Sequence, residues 1–506
     1  MSRIAAVLFA GSLAFTASLP VLASDATAAR ARYDAELQGR LVPLLQEVVR
    51  FPTVKGNAEA FQKQKDWLKR VGTELGFTVR DKGLVTEIEL PGPEGAPVLG
   101  LVVHGDVQPA EEGAWSQPPF EGRVADGMLY GRGVADDKGP LVQALLAMKA
   151  LKDAGPPLTH TVRLLVGSDE ESDNADIRTY LASSKAPDLS LVLDAVFPAV
   201  VGEKAWNALI VTTASGPRGP SALPFDIVKL EAGTGPSIVP DRAVATLKWK
   251  SGTADWNPFV EKLRAKRSGA IGLMSVPTGD TLEVTTLGTS AHSGMNLEGG
   301  RNALVGLAGI LDGELPASGF ADLLAFAKKA GGPDLFGTGL GLTQKDALWG
   351  RFLVNVATVT TPEPGKITLT TNIRRPPPLT GPELRSQMEK QVAEFNAKTG
   401  ASLVATGFYD DEPYKVNPKS KLVKRLLAAY KRGAGEAAKE AVIGGGTYAK
   451  RLPHAIAFGM WFPKTPYPGH EADEKIEIGD LHKGVHVLLE ALCDLAGNAP
   501  VPNPLD

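Results

Sequence analysis

The sequence predicts an α/β fold with a largely parallel, mixed sheet flanked by helices and interrupted by an inserted α+β domain. Three observations predict it. Apolar runs of strand length, PVLGLVV at 97–103, TVRLLV at 161–166 and SLVL at 190–193, alternate with segments of helical periodicity. The runs lead into acidic or histidine-bearing motifs, as expected when a site gathers at the carboxyl ends of parallel strands. Between about residues 206 and 408 the motifs thin out, and the pattern changes to alternating strands separated by Gly and Pro loops.

Taken in order, residues 1–23 (MSRIAAVLFAGSLAFTASLPVLA) combine one arginine, an apolar run and Val21-Leu22-Ala23 before Ser24. That is the pattern of a cleaved secretory signal, so the mature protein is expected in the periplasm or outside the cell, without a membrane anchor. The catalytic domain is expected over 24–205, its second part over 409–506, and the inserted lid over 206–408. From Arg30 to Leu75 the spacing is helical. The strand 97–103 follows, then a Pro and Gly loop, then a helix over Pro140–Asp153 with Leu141, Leu145, Met148 and Leu151 on one face. The strands 161–166 and 190–193 complete the first part. In the insert, strands are expected over Ala243–Lys250, Thr281–Leu287 and Lys366–Ile373. The first fold resumes with a helix over Ser420–Arg432, a strand over Ala455–Trp461 and a closing helix over Ile478–Ala496.

Composition narrows the function. With 43% hydrophobic and 22% charged residues and a net charge of −3, the chain has no basic field for nucleic acid or an anionic membrane surface. Cys493 is the only cysteine, which excludes an intramolecular disulfide and, in its apolar helical setting, argues against a thiol enzyme. No GxSxG elbow is present. His482 and His486 have the spacing of a zinc-protease helix, but His482-Lys483-Gly484-Val485-His486 lacks the glutamate that would serve as base.

Five motifs carry the chemistry: HGD at His104–Asp106, GRGVADDKG at Gly131–Gly139, SDEES at Ser168–Ser172, LDA at Leu193–Ala195 and GHEADE at Gly469–Glu474. Singly each is ordinary. Together they supply what two divalent cations roughly 3.5–4 Å apart require: a bridging carboxylate, with nitrogen and oxygen ligands on either side. His104 and Asp106 point to one side of an extended segment, so one can bind metal while the other holds the imidazole. Asp136 and Asp137 are adjacent, and burying both is costly unless cations neutralise them. Glu170 and Glu171 offer one carboxylate for metal and another to take a proton from the attacking water.

With these motifs in order, joined by TSAHS, NIRRP and IGGGTYA, the chain from about residue 35 onward resembles the di-zinc metallopeptidase family of aminoacylases, carnosinases, glutamate carboxypeptidases and succinyl-diaminopimelate desuccinylases. It is most similar to the bacterial dipeptidase and carnosinase-like branch. The resemblance implies a zinc-peptidase-like catalytic domain, two zinc ions (manganese or cobalt being compatible with the same donors), and hydrolysis of a dipeptide or small peptide by metal-activated water, in a monomer or homodimer. It implies that His104 and Asp194 hold one metal, Glu171 and His470 the other, and Asp136 bridges them across a cis Asp136-Asp137 peptide. Asp106 would orient His104, Glu170 would be the general base, and His292 on the lid would donate to the oxyanion. Arg374 would grip the substrate carboxylate, with the backbone of Gly445, Gly446 and Thr447 nearby. Two positions depart from the pattern: Ser237 stands where Asn is common, and Asp173 where glycine is usual. A carboxypeptidase or an N-acyl amino acid amidohydrolase would use the same metals, and a silent binding protein would retain only the fold.

Overall fold

A computed structural model describes residues 26–505 apart from 111, 112, 114, 268, 270, 466, 468 and 501–504. The expected signal segment lies outside the described residues. None of the described helices is long and apolar enough to cross a membrane.

Two sheets organise the chain. In the nine-stranded sheet the four central strands, Thr161–Gly167, Val98–His104, Leu189–Val192 and Ala455–Ala457, run parallel. Antiparallel strands flank them on both sides, Thr86–Leu90 beside Thr161–Gly167 and Val200–Glu203 beside Ala455–Ala457. The central strands are mostly apolar because helices cover them. The helix Lys138–Ala154 is buried on every side rather than on one face, as its Leu, Val and Ala content requires of a helix wedged between the sheet and the closing helix Ile478–Gly497. Gly155, at φ 65°, terminates it in the left-handed conformation that glycine adopts most readily.

The eight-stranded sheet is antiparallel and built from residues between Ala205 and Asp411. It has its own apolar core, packed by helices that include Ala303–Ile310, Gly319–Gly331 and Gly381–Thr399. The chain leaves the first sheet at Glu203, enters the second at Ala205, and returns through Tyr414–Lys415. That short double crossing sets the edge of the second sheet beside the ends of the central strands.

Strand and later helix positions follow the sequence reading with shifts of one or two residues, but the helical stretch expected from Arg30 to Leu75 is interrupted between Leu41–Val49 and Ala58–Glu74, and the single strand expected over Ala455–Trp461 is two pieces. Gly459, at φ 83°, separates Ala455–Ala457 from Met460–Trp461, and the second piece pairs with Ala195–Val196 rather than with the main sheet. A Cβ at Gly459 would lie 2.4 Å from the Phe197 ring, so close packing demands the glycine.

Candidate active site

The carboxyl ends of the central strands deliver the site. His104 is the last residue of Val98–His104, Glu170 and Glu171 lie in the turn after Thr161–Gly167, and Asp194 follows Leu189–Val192. Asp136 sits just before the N-terminus of Lys138–Ala154, where unsatisfied backbone N–H groups favour negative charge.

Their geometry forms one buried cluster. His104 Nδ1 donates to the Asp106 carbonyl at 3.0 Å, which leaves Nε2 facing Asp136 Oδ1 at 2.9 Å and Asp194 Oδ2 at 3.9 Å. His470 Nε2 faces the other oxygen of Asp136, Oδ2, at 3.2 Å and Glu171 at 2.9 Å. Asp136 therefore stands between the two imidazoles with one oxygen toward each, the placement expected of a bridge, and the Asp136-Asp137 peptide is cis. His470 adopts φ 63°, and a Cβ on Gly469 would lie 2.9 Å from Asp136 Oδ2, so the glycine lets this loop approach. Two overlapping sets, His104 with Asp136 and Glu171, and His104 with Glu170 and Asp194, have ligand atoms close enough to share an ion.

Electrostatics fit the same reading. Burial and the Asp136 and Asp137 charges push Asp194 well above the carboxylate range, and burial with the Asp194 charge does the same to Glu170. Burial opposes charge on His470, yet Glu171 and Asp136 push it up to about 10. A site in which carboxylates crowd together and protons would have to hold the imidazoles charged is one that cations stabilise, because they replace those protons and neutralise the acids. His470 Nδ1 and Asp137 Oδ1 are buried without a hydrogen-bond partner among the described residues.

The supporting shell was less visible in the sequence. The Asp106 carboxylate accepts from the backbone N–H groups of Glu170 (3.2 Å) and Glu171 (3.0 Å), so it sets the glutamate turn as well as flanking His104. Glu474 accepts from the N–H groups of Gly133, Ala135 and Asp136 and pairs with Arg132 at 2.8 Å, which fixes the Asp136 loop. Asp176 is buried and accepts from Ser168 and Asp169 N–H and from the Tyr448 hydroxyl. Gln108 donates to Glu171 at 3.1 Å and the Tyr467 hydroxyl to Asp136. Only a tyrosine three residues before His470 hinted at the last.

His292 reaches the cluster from the second sheet's domain within the same chain. Its ring centroid is 4.9 Å from that of His470. Gly294 N–H donates to its Nδ1 at 3.3 Å, so a neutral ring carries its proton on Nε2. Burial and the neighbouring His470 and Arg374 charges hold His292 well below its ordinary value, which keeps it neutral and a donor. Asn296 fastens this loop. Its Oδ1 accepts from His292 N–H at 2.7 Å, and its Nδ2 donates to Glu471, next to His470. Replacing Asn296 by Asp should set two carboxylates against each other and lower kcat/KM about tenfold, with recovery in the Asn296→Asp/Glu471→Gln pair. Steady-state kinetics of the single and double variants check this, and no recovery would mean that the contact is incidental.

Arg374 is buried beside them. It donates to Asn372 Oδ1, Ser237 Oγ and Ser293 Oγ at 2.9–3.1 Å rather than to a carboxylate, and burial lowers its pKa to about 9. Gly445, Gly446 and Thr447 line the same cavity of about 770 Å³. Thr447, however, gives both its N–H and its hydroxyl to Glu203 (2.9 and 2.8 Å), so it anchors the glycine loop rather than offering donors to a ligand. The two discounted histidines lie apart from the cluster: His482 Nδ1 meets the Tyr33 hydroxyl at 2.6 Å and His486 Nε2 meets Asp34 at 2.7 Å.

The chain is 31% identical over 433 residues to YtjP of Bacillus subtilis (strain 168), provisionally named a dipeptidase, covering 85% of this chain and 89% of that one. It is 28% identical to the Beta-Ala-Xaa dipeptidase of Lactobacillus delbrueckii subsp. lactis, covering 88% and 91%. Human carnosine dipeptidase 1 has a similar fold, with a TM-score of 0.57 at 14% identity over 93% of this chain and 98% of that one. So does the di-peptidase Dug1p from Saccharomyces cerevisiae, at 0.58 and 15% over 94% and 99%. The model of peptidase family M20/M25/M40 matches residues 100–494, and the chain belongs to that family.

Proposed function

We propose that this peptidase is a two-metal dipeptidase acting outside the cytoplasm. One observation carries the reading. One cavity is lined by Asp136 and His470, which with His104 form the buried bridge, and by the buried Arg374 guanidinium, whose hydrogen-bond acceptors among the described residues are all neutral. A buried guanidinium that pairs with no carboxylate among the described residues is a receptor for one, and the free C-terminus of a short peptide supplies it. Its nearness to the metal-ligand cluster limits how much chain can lie between the carboxylate and the cleaved bond. The names of the relatives support the same substrate class.

His104 and Asp194 would hold one cation, Glu171 and His470 the other, and Asp136 both. Zinc is the proposed metal, suited to this mixed imidazole and carboxylate set. Bound cations would polarise the substrate carbonyl and activate water. Glu170 takes the proton of the attacking water and passes it to the leaving amine. His292, neutral and protonated on Nε2, donates to the oxygen that becomes negative. One chain brings His292 to its own His470, which supports a site completed within one subunit, whether monomer or homodimer. The proposed periplasmic or secreted location rests on residues 1–23.

Free dipeptides, their N-acetylated forms and tripeptides, each incubated with the metal-loaded protein with and without chelator, test the reading. Chelator-sensitive release of amine from free dipeptides is the expected result. Cleavage of acylated substrates alone would make it an amidohydrolase.

A further inference from the structure

The strand register around Arg374 extends the site beyond the carboxylate. In the second sheet Arg374 lies directly opposite Trp206, and Trp206 directly opposite Asp411. Opposed residues of antiparallel strands project from the same face with Cβ atoms about 4.5–5.5 Å apart. Tyr409, two residues from Asp411, shares that face, and its ring meets Trp206 edge-on, with centroids 6.4 Å apart and planes at 71°. Trp206 Nε1 donates at 3.0 Å to Ser237 Oγ, the same oxygen that accepts from Arg374 Nη2 at 3.0 Å. The indole is thereby fixed beside the guanidinium. Ser237, which departs from the family's usual Asn, is the pin between them.

All of these residues line the active-site cavity, whereas Leu353, Arg374's neighbour on its other side, does not. The cavity therefore opens from Arg374 toward the aromatic pair. Tyr409 is 63% exposed, so its ring is available to a ligand. The charged member of the row is already balanced, since Asp411 pairs with Lys450 at 3.0 Å and Arg451 at 2.8 Å. Next to the carboxylate receptor the wall thus presents aromatic surface, with the Asp411 carboxylate held by two cations and not free to repel a substrate carboxylate.

We propose that Trp206 and Tyr409 form the subsite for the side chain of the substrate's C-terminal residue and select aromatic and large apolar residues there. The inference rests on the dipeptidase reading, in which Arg374 takes the terminal carboxylate. The C-terminal side chain branches from the carbon bonded to that carboxylate, so it is the part of the substrate that must pass the residue beside Arg374. Aromatic rings then gain offset or edge-on contact with the pair in addition to buried area.

The test compares kcat/KM for Ala-Gly, Ala-Leu and Ala-Phe, with Gly-Ala, Leu-Ala and Phe-Ala as the reversed series. Ala-Phe should exceed Ala-Gly by about 10-fold to 100-fold, and the reversed series should vary less. Tyr409→Ala, at an exposed position that the fold tolerates, and Trp206→Ala should both compress the Phe-to-Gly ratio. Trp206→Phe, which keeps a ring but loses the bond to Ser237, should retain most of it. Ratios within about twofold across the C-terminal series would overturn the subsite while leaving the dipeptidase reading intact. A large ratio that neither alanine variant changes would overturn the assignment to these two residues. Failure to cleave any free dipeptide would overturn the dipeptidase reading, and the subsite with it.

Discussion

Glu170→Gln is expected to lower turnover by about three orders of magnitude while both cations stay bound, the loss typical of a removed general base. The two adjacent glutamates divide by their surroundings. Glu171 is held between His470 and Gln108, with oxygens 2.9–3.1 Å from each, and so is oriented as a ligand. The Glu170 carboxylate receives no hydrogen bond from the described residues and faces the cavity, while its own N–H is anchored on Asp106. Burial and Asp194 raise its proton affinity far above an ordinary glutamate. Cations at the cluster draw that affinity back toward neutrality, where a group can both accept and return a proton. The geometry also permits a competing role, because Glu170, His104 and Asp194 can share an ion. Metal content decides between them. Retained stoichiometry with lost turnover identifies a base; loss of one equivalent of metal would identify a ligand, and unchanged turnover would remove Glu170 from both roles.

How much of this was legible beforehand follows from what each residue does. The ligand candidates could be read because five motifs, each ordinary alone, together supply the imidazoles and carboxylates that two cations require, while the role of each residue came from the resemblance. His292 and Arg374 entered only through the resemblance to a family, since nothing in their local sequence shows that a strand 80 residues later will carry Arg374 to Ser293. Glu474, Asp176 and Glu203 escaped altogether. Each is a buried carboxylate that accepts from backbone N–H groups of a turn, a distant one for Glu474 and Glu203 and a nearby one for Asp176, and along a sequence such a residue looks like any exposed acid. The fold shows the same division. Strand positions followed from apolar runs, whereas the break at Gly459 depends on the Phe197 ring, more than 250 residues earlier, against which the backbone lies. The helix expected over Pro140–Asp153 was read with one apolar face, that of Leu141, Leu145, Met148 and Leu151, whereas the helix starts at Lys138 and is buried almost all round. In the fold Lys138 is buried too, its Nζ donating to the carbonyls of Val48 and Phe51, and Gln143 donates to Leu481 O.

Asp136→Asn should cost as much as Glu170→Gln, about a thousandfold in activity, equivalent to about 4 kcal/mol, and should also cost metal. The aspartate presents one oxygen to His104 and one to His470. An amide keeps the shape but offers a single oxygen, so its N–H₂ must face one of the two metal positions. Burial works against charge on Asp136, yet the two imidazoles hold its carboxyl well below the usual range, so it serves as a full anion between them. Removing that anion leaves two cations to repel each other without a bridge. The expected result is a fall in bound metal from two equivalents to at most one. Because cations bind the folded state and not the unfolded chain, they stabilise it by mass action. Wild-type protein should therefore lose thermal stability when chelator is added, and Asp136→Asn should respond much less. Metal analysis and thermal melts with and without chelator check both statements without reference to turnover. Two retained equivalents with an undiminished chelator response would show that the cations are held without Asp136, and the bridging role would have to pass to another carboxylate of the cluster.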